Sequence, residues 1–269
     1  MADLAPFAWT FGSLHPEVVA SVCVAGAAYL GAWLPRVRRG EPLPLGPLLS
    51  FFTGLAALTI VLNGPLHDLS DRYLASAHMV QHLVLTLAVP PLVLAGTPGW
   101  MADRVVGWLL AGRLTRPVAG MLLRPLPQFA VWTVALVFWH LPGPYQAALV
   151  QHRWHVVEHL TLLGAAFLGW WPILSPSTRA PALPYAAQLL YLFVFGMPMT
   201  VVGAMVTGAE DVLYPFYATV PRALALSPLA DQRLGGVLMW VPAGVIPVVV
   251  FTLVFFRWAA TEAEVDDPV

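Results

Sequence analysis

Long apolar runs, separated by short polar or proline-rich stretches, make up most of the chain. A run of about 20 apolar residues is long enough to cross a lipid bilayer as an α-helix. Seven such runs, of which the fourth is short, predict an all-α integral membrane bundle that forms a single polytopic domain over residues 1–269. The predicted transmembrane helices cover residues 17–35, 47–66, 74–96, 126–142, 154–174, 184–207 and 234–257.

Prolines inside these runs predict bends, because proline lacks the amide hydrogen that a helix needs and its ring clashes with the preceding turn. The prolines concerned are Pro90, Pro91, Pro198, Pro242 and Pro247. Between the third and fourth predicted spans, residues 100–110 are too few to cross the bilayer. They predict a helix that lies at the membrane interface.

The composition supports a membrane protein and excludes several other classes. Only 10% of the residues are charged and the mean hydropathy is +0.75, whereas soluble domains carry about 25% charged residues. The lipid bilayer is therefore a predicted partner. A net charge of -1 argues against nucleic acid, which is bound through a basic surface.

Two residue types are nearly or wholly missing, and both absences narrow the chemistry. The sequence contains no lysine, which excludes a retinal Schiff base and a lysine nucleophile. Cys23 is the single cysteine, which excludes an intrachain disulfide and a thiolate-rich metal site.

The arginines are distributed unevenly between the two predicted sides of the membrane. Nine lie on one side: Arg36, Arg38, Arg39, Arg104, Arg113, Arg116, Arg124, Arg179 and Arg257. Four lie on the other: Arg72, Arg153, Arg222 and Arg233. Because basic residues are enriched in cytoplasmic loops, this predicts the N-terminus outside and the C-terminus in the cytoplasm. The predicted location is the cell (plasma) membrane, as a multi-pass protein.

Two histidine pairs stand out within the apolar runs, at residues 78–82 (HMVQH) and 155–159 (HVVEH). Residues four apart share one face of a helix, so each pair points two imidazoles in one direction. Ionisable side chains inside a membrane span are costly and mark functional sites. The predicted orientation places all eight histidines in the outer leaflet or beyond it.

Imidazole binds copper, zinc, iron and nickel, and thioether sulfur favours Cu(I), so the histidines and nearby methionines predict a copper site. The predicted metal ligands are His67, His78, His82, His140, His155 and His159, with Gln81, Glu158, Asp68, Met199 and Met239 as supporting residues. Gln81 and Glu158 are expected to orient imidazoles, as partners of metal-bound histidines do. Glu158 alternatively binds the metal itself or accepts a proton. Asp68, Asp71 and His152 are also expected to be solvated near the surface, and His15 is assigned no role.

In the same order along residues 50–257, the chain resembles the polytopic CtaG-type cytochrome c oxidase assembly factors. The segments that carry this resemblance are His78-Met-Val-Gln-His82, Pro90-Pro91-Leu92, Gly96-Thr-Pro98, Trp139-His140-Leu-Pro142 with Tyr145, Glu158-His159, Gly169-Trp170-Trp171-Pro172-Ile173, Gly203, Leu213-Tyr214-Pro215 with Tyr217, and Asp231-Gln232 with Gly235-Gly236 and Met239-Trp240. The resemblance implies a seven-span protein that is needed to make active haem–copper oxidase and has a role in copper supply. It also implies that His78, His82, His140 and His159 are family-type histidines, with His155 beside them.

Several functions are compatible with these patterns. The first is a non-enzymatic metallochaperone that holds copper at the outer face and passes it to a haem–copper oxidase subunit. The second is a b-type cytochrome with His82 and His159 as axial haem ligands. A copper-dependent membrane enzyme and a metal-free scaffold are the remaining alternatives. The sequence leaves open the metal stoichiometry, its oxidation state, the partner subunit and the oligomeric state.

Overall fold

In the computed structural model, which describes residues 7–9 and 12–266, short turns connect successive helices. Helices account for 79% of the chain and the described residues contain no β-strand, which confirms the all-α fold. The helices are α1 (Pro16–Val37), α2 (Leu45–Val61), α3 (Gly64–Arg72), α4 (Ala75–Leu83), α5 (Val89–Gly96), α6 (Gly99–Ala111), α7 (Thr115–Leu122), α8 (Pro125–His140), α9 (Pro142–Val150), α10 (His152–Leu174), α11 (Tyr185–Phe195), α12 (Met197–Gly208), α13 (Phe216–Thr219) and α14 (Pro228–Asp266).

Five helical segments are long and apolar enough to cross a membrane. They are α1, Ala75–Gly96, α10, Tyr185–Gly208 and α14. Two further pairs, α2 with α3 and α7 with α8, pass the same test together but are bent by 51° and 87°. Among the described residues, five to seven segments can therefore span a bilayer. The exact count of seven and the orientation stay predictions.

The second predicted span is interrupted near its outer end. α2 ends at Val61, and α3 begins at Gly64 in a new direction. Gly64 has a φ of +73°, a conformation that side-chain-bearing residues rarely adopt. Pro65 then lies in the first turn of α3, where its missing amide hydrogen costs nothing. The hydropathy of residues 47–66 did not reveal this break, because the interruption is set by backbone geometry.

The helix changes its geometry where the bend was expected, at Pro90–Pro91. α4 continues into a π-helical turn, Val84–Ala88, and α5 starts at Val89 with both prolines in its first turn. A π-helical turn widens the backbone and relieves the clash that proline would cause in a regular helix. A similar break separates α11 from α12, where Pro198 lies in the first turn of α12. Pro242 and Pro247 lie within α14, which continues through both.

A helix covers the segment between the third and fourth predicted spans, as expected. It is α6, and its Asp103 carboxylate accepts hydrogen bonds from the hydroxyls of Ser177 (2.6 Å) and Thr178 (2.7 Å) and from the backbone N–H of Arg179 (3.1 Å). These bonds, that of Ser177 first, lower the pKa of Asp103 to about 2. α6 is thus tied to the loop that follows α10.

The core lies between the longer helices, and small residues set their spacing. Trp132, Trp170 and Phe195 are buried together in its largest apolar cluster. Where α12 meets α14, a Cβ atom on Gly236 would lie 2.6 Å from the backbone nitrogen of Thr207, so only glycine permits this approach. Val24 in α1 and Val248 in α14 are 68% and 62% exposed, as expected for residues that face lipid.

Candidate metal centre

α4 presents His78 and His82 on one face, a single turn apart. Its N-terminal end is fixed by Asp231 in α14. The Asp231 carboxylate accepts hydrogen bonds from the backbone N–H groups of Ala75 (2.8 Å) and Ser76 (3.2 Å) and from the Ser76 hydroxyl (2.5 Å). A carboxylate at this end also interacts favourably with the helix dipole. Asp231 therefore sets where along the bundle the two imidazoles lie.

Four buried side chains of α4 and α10 converge, and we call them the buried cluster: His78, His82, Glu158 and His159. One potential ligand atom from each lies within 4.8 Å of those of the other three. The Nε2 atoms of His78 and His82 are 2.9 Å apart. Glu158 Oε1 lies 3.8 Å and 3.7 Å from these two nitrogens. Such separations suit four ligands placed about 2 Å from a central cation.

The buried cluster contains polar atoms that have no hydrogen-bond partner among the described residues. They include both carboxylate oxygens of Glu158, Nδ1 of His82 and Nε2 of His159. An unsatisfied buried polar atom costs about 1–3 kcal/mol, and more for a charged group, so native proteins rarely contain several together. A cation bound here would take one ligand atom from each of the four side chains, the Glu158 carboxylate among them, and the donor set therefore fits a metal.

Two imidazoles are oriented by their Nδ1 atoms, as in metal-binding histidines. The Tyr217 hydroxyl donates to the Ser70 carbonyl (2.8 Å) and lies 3.3 Å from Nδ1 of His78. Burial raises the pKa of Tyr217 well above its usual range, which keeps this hydroxyl protonated. Its oxygen can then accept from His78 Nδ1, leaving Nε2 free as a ligand. His140 likewise donates from Nδ1 to the carbonyl of Leu136 (2.7 Å), and its Nε2 has no partner.

Three methionines line a cavity that is also lined by His82 of the buried cluster. This cavity of about 10 Å³, which we call the methionine cavity, is lined by Met79, His82, Leu83, Thr86, Leu136, His140, Leu162, Met199 and Met239. Its three methionines are almost fully buried. Met199 and Met239, both predicted as supporting residues, are therefore close to two of the predicted ligands. The other methionines of α12 differ: Met197 is 47% exposed and Met205 is 68% exposed.

Gln81 lies between His78 and His82 in the sequence. In the structure its side chain contacts a third histidine, His67. Its amide nitrogen donates to Nδ1 of His67 (2.8 Å) and to the carbonyl of Val61 (2.9 Å). Its carbonyl oxygen accepts from the Ser70 hydroxyl (3.0 Å). Gln81 thus fixes the ring of His67, the one predicted ligand on α3.

His155 lies between the buried cluster on one side and Asp71 and His67 on the other. Its Nδ1 is 3.8 Å from Glu158 Oε2 and 3.4 Å from Asp71 Oδ1. Its ring centroid is 5.5 Å from that of His67. Asp68, predicted as a supporting residue, instead accepts a hydrogen bond from the backbone N–H of Ser13 (2.8 Å). Asp68 therefore holds the segment that precedes α1.

The structure also brings in residues to which the sequence assigned no role in the site. The ring of His15 lies 4.5 Å from that of His67 and 6.2 Å from that of His152, measured between centroids. With these contacts, all eight histidines form one connected set in which neighbouring centroids are 4.2–6.3 Å apart. Tyr217 was noted only as part of a family segment. Tyr217 and His78 are 139 residues apart in the sequence, so no local sequence pattern reveals their contact.

Comparison with known proteins gives one family and several relatives. Residues 27–261 match the family model described as cytochrome c oxidase caa3 assembly factor. Uncharacterized proteins of Mycobacterium bovis and Mycobacterium tuberculosis are each 25% identical over 279 residues, and one of Mycobacterium leprae is 25% identical over 278 residues. Each alignment covers 96% of this chain but 40% of the relative, so the chain spans about two fifths of their length. No solved structure gives a significant match.

Proposed function

Because this chain belongs to the cytochrome c oxidase caa3 assembly factor family, we propose that it binds copper at the buried cluster and supplies it to a subunit of a haem–copper oxidase. The family supports a role in oxidase assembly, and the copper step is our inference from the site. One observation carries it. Glu158 is buried, neither of its oxygens has a hydrogen-bond partner among the described residues, and one ligand atom of each of three imidazoles lies within 4.8 Å of its carboxylate.

The donor types favour copper over other cations. Three imidazoles and a carboxylate suit Cu(II) or Zn(II), and hard cations such as Mg²⁺ and Ca²⁺ prefer oxygen ligands alone. The methionine cavity adds thioether sulfur, which favours Cu(I) over Zn(II). The single thiol, Cys23, is exposed on α1 and belongs to neither group of side chains. A site with imidazole and thioether donors side by side can hold copper in either oxidation state.

The proposed orientation places this copper at the outer side of a seven-span bundle in the cell membrane. α4 follows Arg72, the last residue of α3, and α10 contains Arg153 in its first turn, both on the predicted arginine-poor side. The buried cluster would then lie within the outer leaflet, close to the extracytoplasmic space. Copper could be passed on there without crossing the membrane, so the proposed activity is transfer of a metal ion and involves no chemical reaction of a substrate.

The volume around the buried cluster favours a metal ion over haem. The methionine cavity beside His82 measures about 10 Å³, whereas pockets for ligands of cofactor size measure about 300–1,000 Å³. An absorption spectrum of the purified protein decides the matter. A Soret band would show that His82 and His159 bind haem, and its absence with copper present would support the proposal.

The test is metal analysis of the protein purified in detergent, followed by copper titration. We expect about one copper ion per chain at the buried cluster, the number that a single four-ligand site holds. The double variant H78A/H82A should lose this copper. Replacement of the exposed thiol by C23S is the matched control and should retain it. Full copper occupancy in H78A/H82A would overturn the proposed site.

The assembly role is tested in cells that depend on this protein. With E158Q in place of the natural chain, we expect a haem–copper oxidase that inserts into the membrane but contains less copper and has less activity. Equal copper content in the oxidase from E158Q and natural cells would contradict supply by the buried cluster. Complete loss of the oxidase polypeptide would indicate a scaffold role instead.

A further inference from the structure

His15 and His152, which we call the outer pair, lie at the surface end of the connected histidines. His152, at the first residue of α10, is exposed, and the side chain of His15 is 20% exposed. Their rings are nearly parallel, with an interplanar angle of 20° and centroids 6.2 Å apart. A cation from solution can therefore reach His152 without any opening of the bundle, and His15 is the next ring inward.

The segment that contains His15 is held in place by specific hydrogen bonds. The backbone N–H of His15 donates to the Asn63 side chain (2.7 Å), and the backbone N–H of Gly64 donates to the Ser13 carbonyl (2.9 Å). Asp68 accepts from the backbone N–H of Ser13 (2.8 Å). Two of these contacts are with the break between α2 and α3, and the third is with Asp68, which follows His67 in α3. The fold thus holds His15 next to His67, which is the next histidine towards the buried cluster.

His15 also has the arrangement of an oriented metal ligand. Its Nδ1 lies 3.0 Å from Oε1 of Glu17. A carboxylate in this position orients an imidazole and increases the basicity of its other nitrogen. That nitrogen, Nε2, is buried and has no hydrogen-bond partner among the described residues. His15 therefore presents one free ligand atom, next to His67 and His152.

We propose that the outer pair is a second metal site, which captures a copper ion from solution and passes it to the buried cluster. This proposal rests on the function proposed above, since it supplies the same cluster. From His15 the ion would move to His67, whose ring is 4.5 Å away, and then to His155 at 5.5 Å. His159 of the buried cluster follows at 4.2 Å from His155.

Each transfer is a ligand exchange: one copper–nitrogen bond forms as another breaks, and the oxidation state of copper stays the same. At His67 the ion would take the Nδ1 lone pair in place of the hydrogen bond from the Gln81 amide. Acidic side chains accompany the route at both ends. Glu17 is bonded to His15, and Asp71 lies 3.4 Å from Nδ1 of His155. Their negative charge favours a cation at each position and offsets part of the cost of its desolvation. An ion that moves inward from the surface along these histidines is therefore never surrounded by apolar side chains alone.

The test is the rate at which the purified full chain takes up Cu(II), compared with its final occupancy. The protein is mixed rapidly with Cu(II), the reaction is stopped with EDTA at set times, and the copper retained by the protein is counted. For H15N/H152N we expect unchanged final occupancy but loading about tenfold slower, because a local capture site raises association rates by 10-fold or more. Q151A, at an exposed position beside His152, is the matched control and should load at the natural rate.

The outcomes separate this proposal from the one on which it rests. Natural loading rates in H15N/H152N would overturn the outer site and leave the buried cluster standing. Natural protein that retains no copper would overturn the buried cluster itself. If H15N/H152N loses its helical circular dichroism, the single variant H152N, whose exposed side chain can be changed without disturbing the packing, replaces it. Loading of H152N at the natural rate would then count against the outer pair.

Discussion

At the scale of single residues, the site depends on atoms that hold the imidazoles in one tautomer. Tyr217 and the Leu136 carbonyl each lie next to the Nδ1 of a histidine and leave its Nε2 available. Hydrogen-bond partners of this kind strengthen metal binding by orienting the ring before the metal arrives. Removing one of them should therefore weaken binding while leaving all the ligands in place.

Replacement Y217F removes the oxygen that faces His78. We expect the copper affinity to fall by about 10- to 100-fold, the range measured when such partners are removed from metal-bound histidines. Competition with a chelator of known affinity gives the value. Y185F, in the first turn of α11, is the control and should bind as the natural chain does. An unchanged affinity in Y217F would mean that His78 is oriented by other contacts.

The methionine cavity leads to a prediction about oxidation state. In M199L/M239L the two thioethers are lost but the volume is nearly kept, so the packing should change little. We expect weaker binding of Cu(I) and unchanged binding of Cu(II), because thioether sulfur favours the monovalent ion. Titrations under reducing and oxidising conditions measure both. M205L alters an exposed methionine of the same helix and should affect neither.

At the scale of elements, α4 is positioned by another helix. Ala75 and Ser76 donate their backbone N–H groups to Asp231 of α14, which lies 156 and 155 residues away in sequence, respectively. The other end of α4 continues into the π-helical turn that precedes the proline pair. α4 carries two of the proposed ligands. Its first turn is held by the Asp231 carboxylate, and its last turn is followed by the π-helical turn.

Replacement D231A leaves the two buried N–H groups of α4 without acceptors. We expect a loss of stability of about 1–2 kcal/mol, the cost of removing a strong helix cap, with a larger loss if the groups stay dry. Thermal unfolding in detergent, followed by circular dichroism, measures it as a lower Tm. D211A, at an exposed acidic residue outside the site, should leave the Tm within error. A Tm equal to that of the natural chain in D231A would show that α4 does not need this cap.

At the scale of the whole molecule, hydropathy predicted most helices and helical periodicity predicted the two histidine pairs. Both signals are local in sequence, and local patterns are what a single sequence records. The break at Gly64, the contact of Tyr217 with His78 and the position of His15 depend on segments far apart along the chain. α14 also begins earlier than predicted, at Pro228, because its first turns carry Asp231 and are too polar for a hydropathy search.

The orientation of the whole bundle is a prediction that labelling can check. In a C23S background, a cysteine placed at Gly46, in the first turn of α2, should react with a membrane-impermeant thiol reagent only from the cytoplasmic side. A cysteine placed at Gly143, in the first turn of α9, should react only from outside. Both positions are free of close neighbours in the structure, so the substitutions are tolerated sterically. The opposite pattern would reverse the orientation and place the copper on the cytoplasmic side.

The joining of all eight histidines into one connected set has a spectroscopic consequence. Protein grown with ¹⁵N-labelled histidine would give imidazole resonances that come entirely from the route and the site, with no background from elsewhere in the bundle. Addition of a diamagnetic ion such as Ag(I) would then shift each signal as that ring is occupied. The order in which the signals shift during a slow titration would show the order in which the histidines bind the ion, without any substitution in the chain.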